Sequence, residues 1–177
     1  MNRRLAEGFK GSSEPTRRKP VAAVVGVGAN LGDRAETIRS AVVDLARLPL
    51  VDDVRVADVM ESVALRPEGP DADAPAYLNT VALVTTRLAP SVLLAYLHAI
   101  EVRHGRERTE RWGDRTLDLD LIAYGDARSD TATLQLPHPR AAERDFVLAP
   151  WLILDPEAEL PGAGRVDELL RRLRDAS

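Results

Sequence analysis

At 177 residues with a 45% hydrophobic fraction, the chain can build one sizeable core and is short for two domains. It has no cysteine, which excludes a disulfide framework, a thiolate nucleophile and a cysteine-ligated zinc site. The formal charge is −4, but the first 20 residues hold six Lys or Arg against two acidic residues (+4), so residues 21–177 carry −8; so acidic a body argues against general nucleic-acid binding.

Residues 1–20 lack the sustained apolar run of a secretion signal and read as a flexible basic extension. The remainder, 21–177, reads as a single domain. No later stretch has the apolar length of a membrane helix, so a soluble, cytoplasmic protein is the expectation. VAAVVGVGAN at 21–30 is dominated by small and β-branched residues and predicts a core strand entering a glycine turn. The period then changes: Ile38, Val42, Leu45 and Leu48 recur at helical spacing. Asp33 is placed to cap this helix, with Glu36 as its capping-box partner, and Pro49 favours its end.

Residues 51–62 predict a second strand. Residues 63–76 contain three prolines and one glycine and predict a long loop. A third strand is expected over 77–86. Pro90 opens a helix carrying Leu93, Leu94, Leu97 and Ile100. A fourth strand follows over 116–124. Beyond a polar segment, LQLPHPRAAERDFVLAPWLILDP predicts a loop running into a short helix, and residues 166–173 a terminal helix. The order is βαββαβ followed by mostly helical material, which points to an α+β or α/β layered domain.

The chemistry concentrates in ERWGDRTLDLDLIAYG, residues 110–125. On a strand, Asp118 and Asp120 share one face while Leu117, Leu119 and Leu121 take the other. Two hard oxygen ligands facing one space suit magnesium, above all where phosphate adds further oxygens; exposed or paired carboxylates are the alternative reading. Arg106, Arg108, Arg111 and Arg115 fall within ten residues, and guanidinium forks grip phosphate. Glu107, Glu110 and Asp114 leave open a solvated, mixed-charge loop. Trp112 reads first as packing. His98 and His104 read as helix-surface and helix-end residues, whereas His138 in LPHPR stands between prolines and near Arg140 and Arg144. No GxxxxGK[ST] segment is present, and GVGAN is not a complete dinucleotide fingerprint.

Taken together, GANLGDR at 28–34, YLN at 77–79, ERWGDRTLDLDL at 110–121 and LPHPRAAERDFVLAP at 136–150 resemble the bacterial 6-hydroxymethyl-7,8-dihydropterin pyrophosphokinase family. The resemblance covers roughly residues 21–161. It implies an α+β, ferredoxin-like βαββαβ core with additional C-terminal elements. It implies transfer of diphosphate from ATP to 6-hydroxymethyl-7,8-dihydropterin, with release of AMP, in folate biosynthesis. The alternatives are transfer to another heterocyclic alcohol, or a ligand-binding homologue without turnover.

By the same resemblance Asp118 and Asp120 would hold two magnesium ions. Arg106, Arg115, His138, Arg144 and Glu101 would serve the ATP side. Arg108, Arg111 and Trp112 would belong to the catalytic loop. Ser62, Leu65, Tyr77, Asn79 and Phe146 would serve the pterin, with Tyr77 and Phe146 on its two ring faces and Asn79 at its polar edge. The partners implied are these two small molecules, with no nucleic acid and no membrane, and the protein is expected to be a monomer. Where the family often carries YETxPxGG, this chain has MESVALRPEGP.

Overall fold

The computed structural model of the protein describes residues 18–66, 69–71, 75–105 and 116–176. In chain order they form β1 (Val21–Ala29), α1 (Arg34–Ala46), β2 (Val51–Val56), β3 (Met60–Ser62), β4 (Ala64–Arg66), β5 (Gly69–Asp71), β6 (Tyr77–Thr86), α2 (Pro90–Arg103) and β7 (Asp118–Tyr124). Then come β8 (Ser129–Thr131), β9 (Leu134–Leu136), a 3-10 turn (Ala141–Glu143), α3 (Asp145–Leu154), β10 (Glu159–Leu160), β11 (Gly164–Arg165) and α4 (Val166–Asp175).

The main sheet has the order β2-β6-β1-β7, with β3 also pairing β6. Neighbouring strands are antiparallel throughout. The units β1-α1-β2 and β6-α2-β7 therefore interlock, each with another strand between its two. This is the βαββαβ core of a ferredoxin-like fold, extended at the C-terminus by α3 and α4.

Strand periodicity sorts the side chains into two cores. Ala23, Val25, Val27 and Ala29 of β1 pack with Ile38 and Leu45 of α1 and with Leu93, Leu97 and Ile100 of α2. Val24, Val81 and Leu83 face the other way and pack with Val147, Leu148 and Trp151 of α3 and with Val166 and Leu170 of α4. With both sheet faces covered, β1 and β6 read as nearly continuous apolar runs.

Two irregularities reset which way side chains point. In β7 the register passes from Val24↔Ala123 to Val25↔Leu121, leaving Ile122 as an extra residue. The bulge sends Leu119 and Leu121 to the α1–α2 core and both Ile122 and Ala123 to the α3–α4 core. The predicted strand at 51–62 is likewise two strands. Val56 pairs Ala82 and Met60 pairs Asn79, four steps against three. Across this break Ala57 stays tied to β6: its N–H donates to Val81 O at 3.1 Å, and its carbonyl accepts from Thr80 Oγ1 at 2.8 Å. The extra residue turns the chain over. Val54 and Val56 pack on the α1–α2 core, whereas Ser62 meets Asn79 on the opposite face.

The predicted loop at 63–76 contains the β4–β5 hairpin, and β8–β9 is a second hairpin that the polar sequence did not suggest. At α1, Asp33 Oδ1 accepts from Glu36 N at 3.0 Å as expected, but the Glu36 carboxylate pairs with Arg39 rather than completing a capping box.

Candidate functional site

The sheet face beneath α3 is apolar at one end and polar at the other. At the polar end, register places Asn79, Gly28 and Asp118 side by side on three adjacent strands. The next row of the same face is Val81, Gly26 and Asp120. The two glycines of the central strand leave a trough between the aspartates and Asn79. A Cβ on Gly28 would lie 2.7 Å from Asn79 Oδ1, and one on Gly26 would lie 3.4 Å from Ile122 Cδ1. Neither glycine has a positive φ, so they serve close approach and not a turn. This corrects the expected glycine turn: both sit inside β1.

The trough is the floor of a cleft of about 400 Å³. Ser62, Tyr77 and Asn79 line one side, Asp118 and Asp120 the other, and His138, Arg144 and Phe146 contribute from the segment after β9 and the start of α3. Asn79 is held by a 2.6 Å hydrogen bond from its Nδ2 to Ser62 Oγ, which leaves its Oδ1 over the trough.

Leu117 and Leu119 are buried on the far side of β7 and fix the aspartates' direction. Glu101, 1% exposed on α2, reaches β7 from that far side. Its Oε1 accepts from Leu119 N at 2.8 Å. Because β7 is an edge strand with β1 as its neighbour, this carboxylate serves the edge N–H of the residue between the two aspartates. Glu101 thus supports the pair from behind.

Arg144 and His138 converge on Asp120. Arg144 Nη1 donates to Asp120 Oδ2 at 2.8 Å, and His138 Nε2 stands 3.8 Å from the same oxygen. The Arg144 guanidinium also lies 5.7 Å from the Phe146 ring centroid, within cation–π range. Its buried Nε has no hydrogen-bond acceptor among the described residues. The His138 ring is oriented by Arg140, whose N–H donates to His138 Nδ1 at 3.2 Å. In the neutral ring the proton therefore sits on Nε2, aimed at Asp120.

Burial pushes the His138 pKa down; the Asp120 and Asp118 charges oppose that shift, while Arg144 and Arg140 reinforce it. The unfolded chain takes up a proton below about pH 6.5 that the folded protein resists. This ring therefore costs no stability above that pH and destabilises progressively as pH falls toward its folded pKa. In an NMR titration of the ligand-free protein, His138 is expected to titrate below 6.5, and lower still in Asp120→Asn. A value above 6.5 in the wild type would contradict the neutral, Nε2-protonated assignment.

Eight predicted residues are brought together here: Ser62, Tyr77, Asn79, Asp118, Asp120, His138, Arg144 and Phe146. Leu65 lies in β4. Arg106, Arg108, Arg111, Trp112 and Arg115 lie outside the described residues. Sequence reasoning missed Gly26, Gly28 and Ile122 as part of the lining. The available signal is two glycines two apart in a strand otherwise made of valine and alanine. His104, read as a helix-end residue, contacts Asp44 at 3.0 Å at the end of α2. Among the described residues no cluster of three or more His, Asp or Glu could hold a metal unaided.

A family model described as 7,8-dihydro-6-hydroxymethylpterin-pyrophosphokinase matches residues 24–156. The 2-amino-4-hydroxy-6-hydroxymethyldihydropteridine pyrophosphokinase of Pseudomonas aeruginosa is 41% identical over 146 residues, covering 82% of this chain and 88% of that one. The enzyme of the same name from Synechocystis is 39% identical over 143 residues, covering 81% of this chain and 71% of the other. Among solved structures, wild-type HPPK-DHPS of Plasmodium falciparum superposes with a TM-score of 0.64 at 12% identity, over 89% of this chain. The match spans 42% of that longer chain and speaks to the fold alone.

Proposed function

The chain belongs to the 7,8-dihydro-6-hydroxymethylpterin-pyrophosphokinase family, and from that premise we propose how its cleft carries the reaction. It is an ATP- and magnesium-dependent enzyme that transfers diphosphate to a dihydropterin in folate synthesis. The acceptor is 6-hydroxymethyl-7,8-dihydropterin and the second product is AMP. The observation that carries this assignment is the row Asn79–Gly28–Asp118, which sets a polar recognition group and a carboxylate on either side of a trough.

The pterin lies over Gly28 between Tyr77 and Phe146, with Ser62 and Leu65 completing that side. Its ring N–H groups donate to Asn79 Oδ1, the oxygen that the Ser62 contact leaves available. Asp118 and Asp120 would hold magnesium, as two ions. Their hard oxygens fit that cation, which is commonly held by one or two carboxylates together with substrate phosphates. Magnesium bound there would supply neutralisation of the phosphate charge.

The chain's own residues do the rest. Arg144 lines the cleft and sits beside Asp120, so it can offer its guanidinium to phosphate. His138 donates from Nε2 to phosphate oxygen, since its Nδ1 is committed to the Arg140 N–H. Glu101 keeps the Asp118–Asp120 segment in place through Leu119 N. Arg106 and Arg115 add phosphate contacts, with Arg108, Arg111 and Trp112 in the same nucleotide-side segment. Aligning the pterin hydroxymethyl oxygen against the β-phosphorus supplies the proximity part of the rate.

No helix among the described residues is long and apolar enough to cross a membrane. The working form proposed is a cytoplasmic monomer with one domain over residues 21–177, bound to neither membrane nor nucleic acid. Incubation with ATP, magnesium and 6-hydroxymethyl-7,8-dihydropterin, resolved by mass spectrometry, is expected to give AMP and pterin diphosphate in equal amounts. ADP as the nucleotide product, or folded protein giving no product, would refute the assignment.

A further inference from the structure

The GANLGDR segment places Gly28 in the cleft floor, yet its polar side chains, Asn30, Asp33 and Arg34, lie outside the cleft lining. Asp33 caps α1. Arg34 does something different. Its Nη1 donates to the carbonyl of Ala76 at 2.6 Å, and its Nη2 donates to Glu61 Oε1 at 3.0 Å. Buried Asn30 adds a longer contact from Nδ2 to Pro75 O at 3.5 Å.

These attachment points are the immediate neighbours of two cleft residues. Ala76 precedes Tyr77 and Glu61 precedes Ser62, and Ser62 and Tyr77 are register partners. β3 has three register pairs with β6. The rigid fork of one guanidinium therefore staples both chain segments where they enter the cleft. We propose that Arg34 is a positioning residue for the acceptor wall: it sets the spacing of Ser62, Tyr77 and Asn79 without touching the ligand. The inference rests on the assignment of that wall to the pterin.

The energetics separate this role from general stability. The Arg34–Glu61 pair is well exposed on the Glu61 side, so its contribution to global stability is small. Misplacing a binding wall is more costly to function than the pair is to the fold. A lysine offers a single ammonium and cannot reproduce the fork.

The test measures binding of 6-hydroxymethyl-7,8-dihydropterin by calorimetry, with a non-hydrolysable ATP analogue and magnesium present. Binding of the analogue alone is measured in parallel. Arg34→Ala is expected to weaken pterin binding about tenfold, with analogue affinity and melting temperature nearly unchanged. Arg34→Lys should recover part of the loss. Glu61→Ala should weaken pterin binding less than Arg34→Ala and add little to it, since both remove one bridge. Unchanged pterin affinity in Arg34→Ala, with normal wild-type binding, overturns the positioning role alone. Equal losses for pterin and analogue also overturn it, as would a general loss of fold in Arg34→Ala that Glu61→Ala does not share in milder form. Failure of the wild type to bind the pterin overturns the wall assignment and this inference together.

Discussion

Replacing Asp118 or Asp120 by Asn should lower diphosphate transfer by about a thousandfold in each case, with the circular dichroism spectrum unchanged. Asparagine keeps the size of the side chain and removes the charge. An electrostatic contribution of a few kcal/mol to the transition state corresponds to a loss of this order. The two variants should differ in one respect. Asp120 is paired with Arg144 at 2.8 Å in the ligand-free protein, so Asp120→Asn also releases a guanidinium. Without magnesium, nucleotide affinity should therefore rise in Asp120→Asn and exceed that of Asp118→Asn. Calorimetry with ATP in the presence of a chelator reads that difference, and near-wild-type turnover by either variant would remove the aspartates from the mechanism.

Gly28→Ala should weaken pterin binding roughly a hundredfold, the upper range for one methyl group of steric misfit in a tight site. The added Cβ would stand 2.7 Å from Asn79 Oδ1, too close to be tolerated in place. Asn79 has little room to yield, being 7% exposed and tied to Ser62 Oγ. Backbone preference cannot explain such a loss, because glycine is the poorer strand residue. Gly26→Ala is the control. Its nearest contact is 3.4 Å from the flexible tip of Ile122, so a milder effect is expected. Affinity for the magnesium–ATP analogue should stay within a few-fold in Gly28→Ala. If both glycine variants bind pterin like the wild type, the trough is not its floor.

What could be read from the sequence follows from range. α1, α2 and β7 announce themselves through local period, and β1 and β6 through runs of small and β-branched residues that bury both faces. Asp118 and Asp120 were legible for the same reason: alternation with Leu117, Leu119 and Leu121 fixes their common direction. The break at 57–59 was not, since nothing in VADVMES shows that one extra residue faces β6 and turns Ser62 over. The bulge at Ile122 was hidden in the same way, in a run that is apolar on both sides. β8 and β9 have three residues each, too few for a period to show, and their pairing depends on partners rather than on pattern. The glycines of β1 suggest a turn in the sequence, because a cleft floor is a property of three strands together. Glu101 illustrates the limit well: a carboxylate on an apolar helix face explains itself only when the edge of β7 arrives beside it.

The two halves of the cleft stand on β6 and β7, with β1 between them. Their distance apart is therefore two interstrand steps, on the order of 10 Å in total, set by backbone hydrogen bonding. Side-chain exchange can raise or lower the walls but cannot stretch this gauge. A variant accepting a larger ring system must gain its room above the sheet, from Phe146 or Val63. The span between the acceptor's polar edge and the aspartates would stay as it is in any such redesign.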